Sequence, residues 1–342
     1  HGTLIPLSFV NEFYTAYKLV RIGLSGLPAE DHYRLGQCIA KTADRLNRRV
    51  VFLASGDLSH KVAAHGPYGF APEGVEFDRQ VTAAMASGDF YQFLAFKTEF
   101  TEKAAECGLR SFIIMAGALD GIEVKSELLS YEGTFGVGYG VASFIPVGQN
   151  PERRFLKKYE KAEAERLKEI KSKEDPYVKL ARLSVEHFVN TGKPMKLPKD
   201  LPQEMLFNRA GVFVSLKKHR RLRGCIGTIS PVTDNIAQEI IRNGISACSQ
   251  DPRFDPVRPE ELDQLVYSVD VLSPPQPIDS PAQLDVKRYG VIVTSGRRRG
   301  LLLPNLEGVE TVEEQLAIAK RKAGIGPHEP VELERFEVVR YY

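Results

Sequence analysis

The first half of the sequence holds several side chains of the kinds that bind metal ions. The run ASGDLSH carries Asp57 and His60, the run AECGLRS carries Cys107, and the run HGTLIPL starts with His1. Imidazole, carboxylate and thiolate are the groups with which proteins bind iron, zinc and copper. A carboxylate next to a histidine also orients the imidazole ring as a general base. These four residues are therefore candidates for metal binding and acid–base chemistry.

Each of these features also has a simpler structural explanation. Residues 50–60 are typical of a buried strand that ends in a turn. Cys107 is typical of a small apolar residue on a helix, and His1 is a chain terminus. The glycine-rich run YEGTFGVGYG lacks the strand before and the helix after it that a dinucleotide-binding loop requires, so it is typical of a bent strand. In open α/β sheets, however, ligands bind at the loops that follow the carboxyl ends of strands.

Composition limits the classes of function. The chain has 342 residues, 43% hydrophobic and 26% charged, as expected for a globular protein of about two domains. A net charge of +2 argues against nucleic acid or an anionic membrane as a partner, and no apolar run is long enough to span a bilayer. Four well-separated cysteines without a CxxC pair predict reduced thiols, so we expect a cytoplasmic protein. The first residue is not methionine, and we expect the first domain to be incomplete at its N-terminus.

A highly charged segment separates the two halves of the sequence. Residues 152–175 contain nine basic and seven acidic residues among 24, with no glycine or proline, which predicts a solvated helical linker. Pro176 follows it and suits the first turn of the next helix. The expected organisation is a first domain at 1–150, a charged helical linker at 151–175 and a second domain at 176–342.

The two halves differ in their predicted secondary structure. Before the linker, strand-like and helix-like runs alternate, which predicts an α/β domain with a mostly parallel sheet. Its strands are expected at 18–25, 50–54, 125–131 and 138–145, and its helices at 28–47, 75–86 and 106–119. After the linker, short polar turns join strands as often as helices do, which predicts an α+β domain with antiparallel pairs. Its strands are expected at 211–218, 222–230, 265–272 and 331–341, with a hairpin at 289–304, and its helices at 177–191, 233–249 and 311–323.

Three motifs of the first half resemble those of a known family and occur in the same order. HGTLIPL, ASGDLSH and ECGLRSFIIMAGALDG together resemble the C-terminal part of the class III extradiol ring-cleavage dioxygenases and their relative, the Memo family, over most of residues 1–147. The resemblance implies iron(II) held by two histidines and a carboxylate, with a further histidine as the acid–base group. It places His1 at the second metal histidine and His60, with Asp57 beside it, at the acid–base position. Cys107 falls where Memo-like members have a metal-binding cysteine and ring-cleaving members a glutamate.

Two departures from the family's pattern bear on the metal. The first metal histidine of the family belongs to an upstream strand and loop that this sequence does not contain. Because the thiolate of Cys107 favours softer ions than a carboxylate does, copper and zinc are alternatives to iron(II). Glu106 would point about 100° away from Cys107 on a helix, which makes it the weaker candidate.

The second half resembles the AMMECR domain family over nearly all of residues 176–342, because LRGCIGT, DPRF, RGLLLP and TVEEQLAIAKRKAGI are all present in order. The resemblance implies a fold and a shared cleft but no reaction. We expect Arg223, Cys225 and Arg253 to line that cleft, with Cys225 either a nucleophile activated by Arg223 or a buried structural thiol. The alternative is local packing, in which Arg253 caps its own turn.

The two resemblances thus imply a metal-dependent, non-haem-iron dioxygenase-like protein of the Memo type fused to an AMMECR domain. The catalytic candidates are His60 and Asp57, and the candidate metal ligands are His1 and Cys107. The substrate is an unidentified small molecule or protein, and a radical-SAM protein is an expected partner because Memo-like and AMMECR domains are its known companions. A non-catalytic metal-binding or scaffold protein is the alternative.

Overall fold

The computed structural model describes residues 2–306 and 308–342. The chain divides into two compact units, residues 1–164 and residues 165–342, and each unit has its own hydrophobic core. In the described part of the chain, no helix is both long and apolar enough to cross a membrane.

The first unit consists mainly of helices followed by one antiparallel hairpin. Its described elements are α1 (Leu4–Asn11), α2 (Ala29–Arg45), α3 (Pro72–Ser87), α4 (Tyr91–Ala95), α5 (Thr98–Ala104), α6 (Leu109–Ala118), β1 (Ile122–Glu132) and β2 (Tyr139–Gln149). In the hairpin, Lys125 of β1 lies opposite Ile145 of β2. The charged segment then forms α7 (Phe155–Ser172), and the division between the two units falls within this helix.

Helices α2 and α6 pack closely because each has a glycine where they meet. A Cβ atom at Gly36 would lie 2.0 Å from the carbonyl oxygen of Ile114, and one at Gly117 would lie 2.0 Å from that of Tyr33. Tyr33 is fully buried and donates a hydrogen bond of 2.7 Å to Asp120, just beyond α6. This contact joins α2 to the turn that follows α6.

The predicted parallel sheet of the first unit is not confirmed, because all strand pairs among the described residues are antiparallel. Residues 18–25 and 50–54, expected to be strands, have no strand assignment, and Val20 and Val51 are 81% and 87% exposed. A strand needs a hydrogen-bonded neighbour, and no segment within residues 2–306 and 308–342 pairs with these two. The parallel sheet therefore stays a prediction.

The second unit combines four helices with two antiparallel sheets in the described residues. The helices are α8 (Pro176–Thr191), α9 (Gln203–Phe207), α10 (Ile236–Ser249) and α11 (Val312–Lys322). The strands are β3 (Gly211–Lys218), β4 (Arg221–Gly227), β5 (Leu265–Leu272), β6 (Gln276–Ile278), β7 (Gly290–Ser295), β8 (Arg298–Leu302), β9 (Glu332–Phe336) and β10 (Val338–Tyr341). The strand orders are β10-β5-β3-β4 and β6-β9-β7-β8.

The larger core of this unit lies between α8, α10 and the first of these sheets. Leu180 of α8, Ile240 of α10, and Val214 and Tyr267 of the sheet are all buried there. The predicted terminal strand at 331–341 is two strands, β9 and β10, which belong to different sheets. The last residues of the chain thus connect the two sheets of this unit.

Candidate metal site

Two loops of the first unit carry the candidate ligands. Asp57 and His60 lie on the loop before α3, and Cys107 lies in the turn between α5 and α6. The backbones of these loops meet at two glycines, since a Cβ atom at Gly56 would lie 2.3 Å from the Cα atom of Gly108. Both loops can approach this closely only because neither residue has a side chain.

The ligand atoms of the three residues converge on one point. One ligand atom from each of Asp57, His60 and Cys107 lies within 4.8 Å of the other two. Nε2 of His60 is 3.2 Å from Oδ2 of Asp57 and 3.8 Å from Sγ of Cys107. Ligand atoms that share one zinc-sized ion are separated by about 3–4 Å, so these side chains fit a metal ion after only small movements. The sequence-predicted ligand His1 lies outside the described residues.

The surroundings of Cys107 keep its thiol protonated while no cation is present. Burial raises the pKa of Cys107, and the charges of Asp57 and Glu106 raise it further, although the backbone N–H of Asp57 lowers it by donating a hydrogen bond of 3.2 Å to Sγ. A bound cation would displace this proton, because the thiolate is the form that binds metals. The ring of His60 stacks on that of Tyr68 with 5.0 Å between the ring centres, which restrains the plane of the imidazole.

Glu106 lies next to Cys107 in the chain but uses its carboxylate elsewhere. Its Oε2 accepts a hydrogen bond of 2.7 Å from the backbone N–H of Leu109, at the start of α6. Burial raises the pKa of Glu106, and this hydrogen bond acts against the rise. The carboxylate thus satisfies a free N–H group of the first helical turn.

Buried residues that the sequence analysis missed support the site from behind. Ser59, between Asp57 and His60, is fully buried, and its backbone N–H donates to the carboxylate of Asp78 on α3. The sequence feature that could have indicated this contact is the glycine-rich run. A Cβ atom at Gly138 in that run would lie 1.8 Å from Oδ2 of Asp78.

In the second unit, the backbone of Cys225 on β4 is hydrogen-bonded to the side chains of Asp251 and Arg253. Its N–H donates to Oδ2 of Asp251 at 2.9 Å, and its carbonyl oxygen accepts a hydrogen bond of 3.1 Å from Arg253. The hydroxyl of Ser215, opposite it on β3, donates to Sγ at 3.2 Å. Arg253 also makes two hydrogen bonds to the carboxylate of Asp251, at 2.9 and 2.7 Å. Arg253 thus pairs with an acidic residue two positions earlier in its own turn, and its capping of that turn stays a prediction.

Arg223 completes this arrangement with a second ion pair. It makes two hydrogen bonds to the carboxylate of Glu261, at 3.0 and 2.9 Å. The guanidinium groups of Arg223 and Arg253 lie 6.0 and 5.5 Å from the ring centre of Phe254. The structure thus brings Arg223, Cys225 and Arg253 together, but both guanidinium charges are paired with carboxylates. Their role in a ligand cleft stays a prediction.

These ion pairs hold both carboxylates in their ionised form. The hydrogen bonds from Arg253 are the largest cause of a pKa of Asp251 well below its usual range. Hydrogen bonding to Arg223 is the largest cause that lowers the pKa of Glu261, to about 2.

The chain is similar to two protein families and to several individual proteins. The family described as the catalytic LigB subunit of aromatic ring-opening dioxygenase matches residues 1–142, and the family AMMECR1 matches residues 178–341. The two resemblances are thereby confirmed at family level, whereas the closer likeness to Memo-type members stays a prediction.

Among individual proteins, Protein CA_C1420 of Clostridium acetobutylicum is 46% identical over 342 residues, which are all of this chain and 72% of that protein. A protein of Thermotoga maritima is 54% identical over 170 residues, which are 49% of this chain and 98% of that protein. The crystal structure of protein PH0010 from Pyrococcus horikoshii is 37% identical with a TM-score of 0.46, over 48% of this chain and 88% of that chain.

Proposed function

The chain belongs to the same family as Protein CA_C1420 of Clostridium acetobutylicum, and we propose that its LigB-like half performs metal-dependent, dioxygenase-like chemistry. The convergence of ligand atoms from Asp57, His60 and Cys107 within 4.8 Å carries this proposal. Members of the matched ring-opening dioxygenase family are metal-dependent, and the donor set found here is one that binds first-row transition metals.

Oδ2 of Asp57, Nε2 of His60 and Sγ of Cys107 would hold the ion. When bound, such an ion supplies a Lewis acid that polarises an oxygen atom of the substrate and, if it is iron or copper, a centre that exchanges electrons with it. Iron(II) follows from the resemblance, and the thiolate favours copper or zinc as alternatives. The substrate is an unidentified small molecule or protein.

The orientation of His60 favours the role of a ligand over that of an acid–base group. In a proton relay, the carboxylate and the reacting group use different nitrogens of the imidazole ring. Here the same nitrogen, Nε2, faces both Asp57 and Cys107. The acid–base role implied by the resemblance is therefore the rival assignment.

Titration of the metal-free full chain with cobalt(II) tests the metal site. We expect about one ion per chain and an absorption band from the cobalt–thiolate bond, and Cys107→Ala should weaken binding by at least ~100-fold. The matched control is Cys38→Ala, which removes an exposed cysteine of α2 in the same unit and should leave the affinity unchanged. Undiminished binding by Cys107→Ala would contradict the site.

His60→Ala separates the two roles of the histidine in the same experiment. A loss of cobalt affinity similar to that of Cys107→Ala supports the ligand role. Full cobalt affinity with loss of activity on a substrate supports the acid–base role instead.

For the AMMECR1 half we propose a binding or scaffold role, because the charged groups around Cys225 pair with one another. The proposed partner is a radical-SAM protein, as the resemblance implies. Co-elution of the full chain with such a protein in size-exclusion chromatography tests this, and separate elution at micromolar concentrations would contradict it.

A further inference from the structure

A buried carboxylate lies directly behind the candidate metal site. Asp78 of α3 is only 2% exposed. Its Oδ1 accepts the backbone N–H of Ser59 at 2.7 Å, and its Oδ2 accepts the hydroxyl hydrogen of Tyr131 at 2.8 Å. Burying a carboxylate is costly unless its oxygens are hydrogen-bonded, and here both oxygens have a donor.

Ser59 connects this carboxylate to both loops of the site. Its hydroxyl donates to the carbonyl oxygen of Ala104 at 2.8 Å, on the segment that leads to the candidate thiol. Its carbonyl oxygen accepts the N–H of Gly138 at 2.7 Å. Because Ser59 directly precedes His60, one buried residue ties the histidine loop to the cysteine turn and to the glycine-rich run.

We propose that Asp78 is a positioning residue, which holds Ser59 and thereby sets the spacing between the ligand atoms of His60 and Cys107. The proposal rests on the proposed function for its effect on metal affinity, whereas the positioning itself belongs to the metal-free chain. Donors that are already in place lose less conformational freedom on binding a metal. Hydrogen-bond partners behind the ligands typically change metal affinity by about 10–100-fold.

Gly138 provides a second way to disturb the same contact. A Cβ atom there would lie 1.8 Å from Oδ2 of Asp78, so any side chain would displace the carboxylate. The carbonyl oxygen of Gly138 also accepts the N–H of Leu58 at 2.9 Å. Gly138→Ala therefore moves the carboxylate without changing its chemistry.

The test compares Asp78→Asn with Asp120→Asn. Asp120 is a matched control because its carboxylate accepts a tyrosine hydroxyl at 2.7 Å, from Tyr33, and a nitrogen donor at 2.9 Å, from Gln37. It lies in the same unit but beyond the C-terminal end of α6, whereas Cys107 precedes the N-terminal end. Loss of stability alone should be similar for the two variants.

Three quantities are measured in the full chain: hydrogen exchange of the amides of residues 57–62 without metal, cobalt(II) affinity, and the visible spectrum of the bound cobalt. Asp78→Asn should speed this exchange by about 10-fold, weaken cobalt binding by about 10-fold and change the visible spectrum of the bound cobalt. Asp120→Asn should change none of these. Gly138→Ala should act in the same direction as Asp78→Asn.

Equal exchange rates at residues 57–62 in the two Asp→Asn variants would overturn the proposal. If Asp78→Asn does not fold, Gly138→Ala and Tyr131→Phe replace it, because each disturbs the carboxylate without removing it. Absence of cobalt binding by the unmodified chain would contradict the proposed function alone, and the exchange rates would still decide whether Asp78 positions the loop.

Discussion

Cys107 and Cys225 both stand beside glycine in the sequence, but the charged groups around them are arranged differently. At Cys107, the side chains of Asp57 and His60 direct their ligand atoms toward the thiol and toward each other. At Cys225, two carboxylates are paired with two guanidinium groups, and one of these pairs also holds the backbone of the strand. The first arrangement is the one that we propose to bind a metal ion, whereas the Arg223–Glu261 and Arg253–Asp251 pairs are typical of a structural clamp.

The largest effect on the clamp is expected from Asp251→Ala. The variant removes the carboxylate that accepts hydrogen bonds from the guanidinium of Arg253 and from the N–H of Cys225, so the free energy of unfolding should fall by about 3 kcal/mol. Since the chain has no tryptophan, urea unfolding is best followed by circular dichroism. The control Asp263→Ala removes a fully exposed carboxylate and should cost less than about 0.5 kcal/mol. Similar losses in both variants would contradict the structural assignment.

Acid should weaken the same clamp. The pKa of Glu261 is about 2 in the folded chain, mainly because of Arg223, against an ordinary value of 4.5. Because folding lowers this pKa, the ion pair contributes its full stability above about pH 4.5 and loses it as the pH falls toward 2. We expect a loss of about 2 kcal/mol over this range, and Glu261→Gln should flatten that part of the curve of unfolding free energy against pH. An unchanged curve would refute the assignment.

Thiol labelling distinguishes the two cysteines directly. Alkylation by iodoacetamide should be slowest at Cys248, which is buried and whose pKa burial raises to about 11. Saturating zinc should slow the labelling of Cys107 by at least ~10-fold and leave the rates at Cys38 and Cys225 unchanged. The rates are measured by mass spectrometry of the labelled peptides. If zinc protected Cys107 and Cys225 equally, the result would contradict the assignment of only Cys107 to a metal site.

The sequence predicts the elements of the second unit better than the sheet of the first. Strands β3 and β5 occupy the residues expected for them, because alternating apolar residues and polar turns are local signals. Residues 18–25 and 50–54 carry the same apolar signal, but pairing depends on a neighbouring strand, which a local pattern does not specify. For the same reason, the division of the terminal strand between two sheets could not be predicted.

In the candidate site, too, the sequence does not specify which residues become neighbours through tertiary packing. Asp57, His60 and Cys107 could be grouped from the sequence, because the order of the motifs resembles that of a known family. Asp78 could not be grouped with them, since a single acidic residue on a helix is usually exposed to solvent, and only the structure shows that it is buried. The hydrogen bonds of Asp78 and Ser59 behind the ligands depend on tertiary packing, and in the sequence only the nearby glycines indicate them.

The smallest predicted effect concerns two neighbours in one turn, Glu106 and Cys107. Because the carboxylate of Glu106 accepts the N–H of Leu109, Glu106→Ala should lower the free energy of unfolding by about 1 kcal/mol, the usual cost of losing a helix cap. Its cobalt affinity should not fall, because this carboxylate is not among the three converging ligands. Cys107→Ala should show the opposite pattern, with weak cobalt binding and nearly unchanged stability. If Glu106→Ala instead weakened cobalt binding as much as Cys107→Ala, the carboxylate of Glu106 would be a ligand, and the turn would supply two donors to the metal.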